Sequence, residues 1–523
     1  MRNNKILFRK AEGQLTVFMA LVFFLVVSLL LAQYRSAVFY ARRANAERAA
    51  RLSAESFLAG YNRPLRDYYQ ILAVDGGFGQ DIFQEERLEA QLLHVFEKNV
   101  EAGLGAGNGV EAGMEEPVFT LLIDGDWDFF LREICLNRMD VTVADGIGYI
   151  MEQWKSKNDW AAGDLSRKRQ EAAARAETEN VTDSGAGEVG QPGDTRQPGD
   201  TGQPEENEPS EAPDSSPEPV TDPRDFVAEI WNQGILAAAC PENFSLSEKQ
   251  CPMTDVSFPE AGQKIQRYID FKDDASIQDL FEGWDGILEP ELGLGAVVSD
   301  GAVQLYIMEV FNHAATAESR IAHERVLNYE VEYILAGNES DSENLKIVLW
   351  KLLAFRCVMN LSHILMSGEK GIQAGQTAAL LSTALLIPQF TEVVAFLLKC
   401  AWAFAESLSD CRTLLKGGKV PLMKGDTTWY LTWEQMLRLD GHMLDGNSGT
   451  EGIDYQGYLQ MFLLLMKRDT KYRRMTHLME KNIRLLPDYS EFRMAHCIYG
   501  VQAAFDWDFG QGGRQRVQTA LSY

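Results

Sequence analysis

The chain has 523 residues, of which 46% are hydrophobic and 24% charged, and a formal net charge of −27. That length holds about two to four ordinary domains with a packed core, and the acidic balance excludes nucleic acid as a partner, because phosphate binding needs clustered Lys and Arg. Seven cysteines without a Cys-x-x-Cys pair exclude a disulfide-framework fold.

From Leu15 to Ala32 no residue is charged, and the only polar side chains are Thr16 and Ser28. About 18 to 20 apolar residues at 1.5 Å each cross a hydrocarbon core of roughly 30 Å. A secretory signal has a shorter apolar region followed by a break. Here no Pro or Gly interrupts Gln14 to Ala59, and the second half is alanine-rich. Alanine is the best helix former, so one helix of about 70 Å is expected, supported by a Glu47–Arg51 pair and ended by Gly60, Asn62 and Pro64. Arg2, Lys5, Arg9 and Lys10 precede the span; Arg35, Arg42, Arg43, Arg48 and Arg51 follow it. The short first flank and the large body behind the second favour a cytoplasmic N-terminus and an exported body, single-pass in the cell membrane.

The leader "RKAEG" followed by "QLTVFMALVF" resembles the prepilin leader of type IV and Tad (tight adherence) pilins and the start of TadE- and TadG-like pseudopilins. The resemblance implies cleavage by a prepilin peptidase between Gly13 and Gln14. It departs from the family pattern at Phe18, where pilins usually carry glutamate. An uncleaved signal anchor is the competing reading.

"YNRPLRDYYQILAVDGGFG" predicts a short helix from Pro64, stopped by Gly76 and Gly77, and a second helix is expected over 81–101. "GLGAGNGVEAG" (103–113) reads as a loop; no strand precedes it and no Lys-Ser/Thr follows, so it is a poor phosphate loop. Strands are expected within 129–143 and a helix over 147–157. Residues 167–225 are rich in Pro, Gly, Glu, Asp and Ser, repeat "QPGDT", and have almost no large apolar side chains. Such a segment cannot bury enough surface to offset its ordering entropy and reads as a disordered acidic linker or insertion.

Beyond it, helices are expected over 225–239, over 302–337 as one or two, from Ser340 onward, over 377–386 and 389–415, and over 457–486. "TTWYLTW" reads as a short strand and the C-terminus as a hairpin turning at 510–513, pairing with the strands near residue 135. The fold expected is α+β, mainly α-helical, with a small antiparallel sheet. Its parts are a leader (1–13), a membrane and extended helix (14–60), a first body segment (61–166), the linker (167–225) and a mainly helical body (226–523). The stretch 329–425, with "YEVEYILAGNESDSENLKIVLWKLLAFRCVMN" and "AWAFAESLSDCRTLLKGGKVPLMKG", resembles a family of unknown function encoded beside Tad pilus genes in Gram-positive anaerobes.

Chemistry is thin. Asp124, Asp126 and Asp128 have the one-three-five spacing of a calcium loop, but Phe129 and Cys135 replace its glycine and glutamate. The histidines form no zinc set. Ser367 and Lys370 have Ser-x-x-Lys spacing without its companion motifs, which reads as chance. Glu330 and Glu332, two apart on a helix, are expected to face solvent or meet neighbours such as Arg325. Trp402 reads as core. Cys240 and Cys251 bracket a loop and form a candidate disulfide. No catalytic, cofactor or metal site emerges. The resemblances imply an exported accessory or minor pilin-like component of a Tad-like pilus or secretion system, with membrane, pilin-like proteins and prepilin peptidase as partners. The alternative is a signal-anchored envelope protein with a ligand-binding, adhesive or enzymatic body.

Overall fold

The computed structural model describes residues 4–104, 111–125, 127–139, 234–241, 244–253, 294–315, 324–437, 444, 449–508 and 514–523. The chain is α+β and mainly helical, with a four-stranded antiparallel sheet, and it divides into two compact units. The first comprises 1–141, 247–341 and 462–523; the second comprises 142–246 and 342–461. The helix expected over 147–157 and the acidic segment 167–225 lie outside the described residues.

The first unit begins with α1 (Asn4–Leu58), one uninterrupted helix that also takes in the leader. Asn62 caps α2 (Arg63–Tyr69) by accepting the Leu65 N–H at 2.9 Å, with Pro64 in the first turn. The helix ends at Gln70, in the left-handed region at φ 56°, six residues before the glycines expected to stop it. Then follow β1 (Val74–Asp75), α3 (Glu85–Leu104), β2 (Glu111–Leu121) and α4 (Asp128–Met139). The C-terminal hairpin is β3 (Cys497–Asp508) and β4 (Gln515–Ser522). β3 is the strand with which β1, β2 and β4 all pair.

The hairpin's partner is therefore β2 and not the segment near residue 135. Gly113, expected in a loop, pairs with Asp506 inside the sheet. Residues 128–139 are helical: Phe130, Leu131, Ile134 and Cys135 are buried at helical spacing. The aromatic-rich run resembles strand composition, but its burial repeats every three to four residues.

The core of this unit lies between α1, α3 and the sheet. Leu88, Leu92, Phe96 and Val100 of α3 meet Val501, Phe505 and Val517, and Phe96 stacks on Phe505 with centroids 4.2 Å apart. Also in this unit, α5 (Leu294–Val310 of the chain) and α6 (Glu330–Ala336) are separate helices, and α7 (Arg468–Ile483) is the second of two that replace the single helix expected over 457–486. Glu330 and Glu332 are both fully buried and do not face solvent, and Glu330 meets Arg325, the neighbour the sequence offered as the alternative. Glu330 pairs with Arg325, accepts from Asn482 Nδ2 at 2.6 Å and from the Asn312 N–H at 3.0 Å, while Glu332 accepts the Ala314 N–H at 2.9 Å. These carboxylates take up the backbone donors of Asn312 and Ala314, just past the end of α5.

In the second unit a short helix, Ile235–Ala239, is the described end of the one expected over 225–239. It is followed by α8 (Asp341–Met366), α9 (Gly368–Ala384), α10 (Thr391–Leu415), α11 (Trp433–Leu437) and α12 (Tyr455–Leu464), the first and last of which extend slightly past the unit's borders. "TTWYLTW" is not a strand. The Tyr430 and Leu431 N–H groups, which a ladder would use, donate instead to the buried Glu406 carboxylate at 2.9 and 2.8 Å.

Candidate functional site

Two features stand out: the stem made by α1 and a buried ionic cluster in the second unit. The apolar window of α1 is 0% buried, so its leucines, valines and phenylalanines are bare on every side. The same helix changes character past its middle. Ala46, Ala50 and Ala54 recur every fourth residue and, with Ala49 and Phe57, are buried against α3 and the sheet. Alanine allows close backbone approach, and Ser53 donates to the Leu92 carbonyl at 2.6 Å. Tyr523, the last residue, donates its hydroxyl to the Leu58 carbonyl and holds the helix end.

The exposed face carries Arg43–Glu47 at 2.9 Å and Arg51–Glu55 at 2.8 Å, not the expected Glu47–Arg51 pair. Both gaps are four residues, so spacing alone leaves the choice open. Gly13 and Gln14 lie within α1, whose helical backbone runs through the candidate cleavage point. A peptidase acting there would have to unwind a turn, which a glycine makes easier because it favours the helix least after proline.

The ionic cluster assembles from α8, α10 and the loop after α10. Arg356, Glu406, Asp410 and Lys424 are all buried. Arg356 Nε donates to Asp410 Oδ2 at 2.9 Å; Lys424 Nζ lies 2.6 Å from Asp410 Oδ1 and also pairs with Glu406. Asn360 Nδ2 donates to Asp410 Oδ2 at 3.0 Å and to Ser407 Oγ at 2.9 Å. Arg356 Nη1 donates to the Pro421 and Leu422 carbonyls, each at 2.9 Å, and so ties the loop to α8. Burial opposes ionisation of Asp410, but Arg356 and Lys424 outweigh it and hold the carboxyl below the ordinary aspartate range. Burial raises Glu406 above its ordinary range, against the pull of Lys424.

Beside the cluster is a tryptophan group. Trp402 meets Trp429 and Trp433 edge-on, with centroids 5.6 and 5.0 Å apart. Trp402 and Trp429 both donate their indole N–H to the Leu431 carbonyl, at 3.0 and 2.8 Å. His363 stacks on Trp429 at 5.3 Å, and Lys370 Nζ lies 5.0 Å from the same ring centroid. Asp426 Oδ1 accepts from Lys370 Nζ at 2.9 Å and is 3.2 Å from His363 Nε2. Each cation has an anion, so the arrangement compensates buried charge and orients rings.

The Ser-x-x-Lys spacing has a local explanation. Ser367 caps α9 by accepting the Lys370 backbone N–H at 3.5 Å, while the Lys370 ammonium reaches Asp426. Asp124, of the calcium spacing, accepts the Leu121 N–H at 2.8 Å in a turn, and no group of three or more metal-ligating residues occurs among the described residues. The candidate disulfide between Cys240 and Cys251 is not formed in the structure, and burial pushes the Cys240 thiol up to about 11. Sequence reasoning missed Arg356, Glu406, Asp410 and Lys424. The available signal was Glu406 and Asp410, four apart in "AESLSD" within an apolar helix, where a bare carboxylate is costly.

A family model described as a family of unknown function (DUF5702) matches residues 213–509. That is more than half of the chain, and the protein belongs to this family. No curated protein and no solved structure matches it. The matched span contains the ionic cluster and the tryptophan group; α1 lies before it.

Proposed function

With family membership that assigns no activity, we propose that the protein is a membrane-anchored, exported accessory or minor pilin-like component of a Tad-like pilus or secretion system. The observation that carries this reading is the division of labour along α1. Its run Leu15–Ala32 is apolar and uncovered, and its last turns are built into the core by Ala46, Ala50 and Ala54. A stem so built suits lateral packing with other apolar helices, where small residues such as Ala20 and Ser28 permit close approach. Ser28 donates back to the Leu25 carbonyl at 2.8 Å and leaves no bare hydroxyl donor to lipid. Arg2, Lys5, Arg9 and Lys10 would hold the short N-terminal flank in the cytoplasm, with the body outside.

The second reading, an uncleaved signal anchor, is favoured by Phe18 at the position of the pilin glutamate. Mass spectrometry of the native membrane protein separates the two. A mature terminus at Gln14, lost in Gly13→Val, is the expected result. An intact Met1 terminus in cells with an active prepilin peptidase would overturn processing and leave the anchor.

A further inference from the structure

The α9–α10 hairpin is an anomaly in an acidic protein. Between Gly371 and Leu398 the chain carries a single ionisable side chain, Glu392. The arms pack on one another, and the buried residues of α9 are Lys370, Ala374, Ala378 and Ser382, one every fourth position. This is the small-residue seam by which apolar helices approach closely. The hydroxyls along the hairpin are satisfied within it. Ser382 and Thr391 share a hydrogen bond at 2.6 Å, Thr377 donates to the Gln373 carbonyl at 3.2 Å, and Thr383 donates to the Ala379 carbonyl at 2.7 Å.

Outside the seam the arms are bare and mostly apolar, the exposed polar side chains being Gln376, Thr383, Gln389 and Glu392. Leu386 at the tip is 86% exposed and Leu380 74%, and Ile372, Phe390, Val393 and Leu397 are exposed too. A helix pair bare all round and this rich in Leu, Ile, Val and Phe belongs in a core or in a membrane. A protein partner would cover one side, whereas lipid covers every side.

The base of the hairpin is built differently. Lys370 closes one arm and Lys399 the other, and a Cβ on Gly371 would lie 3.9 Å from Lys399 Nζ, so the two lysines share a level. Trp429 and Trp433, both half-buried, flank the buried Trp402 and Lys370 there. Tryptophan and lysine gather where a bilayer's hydrocarbon meets its headgroups. Between the lysine level and the tip, α9 supplies residues 371–384 and α10 residues 391–398, fourteen and eight helical residues, about 21 and 12 Å. Both are shorter than a hydrocarbon core of roughly 30 Å, so the hairpin enters a bilayer without crossing it.

We propose that the α9–α10 hairpin inserts into a lipid bilayer without crossing it, with Lys399, Trp429 and Trp433 at headgroup level. The hairpin is thus a second membrane contact of the chain. It stands on the hairpin's own residues and is independent of the stem's anchorage and of the pilus. Glu392 is the one ionisable group that opposes insertion, with Gln376 and Gln389 as neutral polar ones; Glu392 lies in the first turn of α10, where the helix dipole offsets part of its cost.

The test uses the full chain in vesicles of equal parts phosphatidylglycerol and phosphatidylcholine, with brominated acyl chains as quenchers. An environment-sensitive fluorescent residue is placed at Leu386, at Leu21 in the stem, or at the exposed Lys346. Loss of emission at Leu386 and Leu21, none at Lys346, and greater loss at Leu386 in the Glu392→Gln background are expected. Quenching at Leu21 with none at Leu386 would overturn the hairpin and leave the anchor standing. Quenching at Leu386 without Leu21 would support the hairpin and remove the anchor. A photo-crosslinker at Leu386 that joins a second copy, and no lipid, would also overturn the proposal.

Discussion

Replacing Asp410 by Asn removes the anion on which two buried cations converge. Arg356 Nε is 2.9 Å from its carboxylate and Lys424 Nζ 2.6 Å, and all three side chains are at most 1% exposed. The amide is nearly isosteric, so no cavity forms and the loss is electrostatic. Arg356 would keep only neutral acceptors, and Lys424 would keep Glu406. Removing one partner of a buried pair costs about 3–5 kcal/mol, because the remaining charge stays desolvated. For a region of 150–250 residues each kcal/mol moves the midpoint by about 2–4 °C, so Asp410→Asn should lower it by roughly 6–20 °C.

Thermal unfolding of the full chain in detergent, followed by tryptophan emission, reads this, since Trp402 and Trp429 adjoin the cluster. The double variant Arg356→Met, Asp410→Leu removes charge and partner together, keeps the Lys424–Glu406 pair, and should recover part of the loss. Acid provides a second readout. Asp410 is depressed in the folded state, so its contribution is full above its unfolded value of about 3.9 and is lost as pH falls through the folded value. That acid limb should be absent in Asp410→Asn. A midpoint within about 2 °C of the parent chain, or a double variant worse than the single, would refute the claim that the cluster holds this unit together.

Phe505→Ala deletes the ring stacked at 4.2 Å on Phe96 and should cost about 3–5 kcal/mol in a denaturant titration. Ala50→Leu overfills the buried seam of α1, with an expected loss of about 1–3 kcal/mol by the same measurement, whereas Leu52→Ala on the exposed face should change little. Burial, with Arg473, Arg474 and Lys481 nearby, pushes His477 down to about 4. The unfolded chain, whose histidine titrates near 6.5, then binds the extra proton between those values, so stability should fall as pH drops from about 6.5 to 4. His477→Gln should flatten that slope in denaturant midpoints measured across the range.

The apolar run Leu15–Ala32, the unbroken helix behind it, its break at Gly60, Asn62 and Pro64 and most of the later helices were legible in the sequence, because they rest on neighbours three or four residues apart. The terminal hairpin was legible as well, since alternation and a glycine turn are local signals. β2 was not: its order comes from Cys497–Asp508, nearly four hundred residues away, and Gly113 reads as loop until that partner is present. Residues 128–139 misled for the opposite reason, as aromatic composition imitated a strand while burial followed a helix.

The ionic cluster belongs to tertiary structure alone. Glu406 and Asp410 can be seen to share a helix face, but nothing local says that Arg356 and Lys424 will neutralise them or that Glu406 will take the backbone donors of Tyr430 and Leu431. The hairpin divides in the same way. Sequence determined that residues 371–398 are apolar; only the packing of α9 on α10 decided that the small residues would be buried and the leucines left bare, because composition records what a side chain prefers and not which neighbour arrives to cover it.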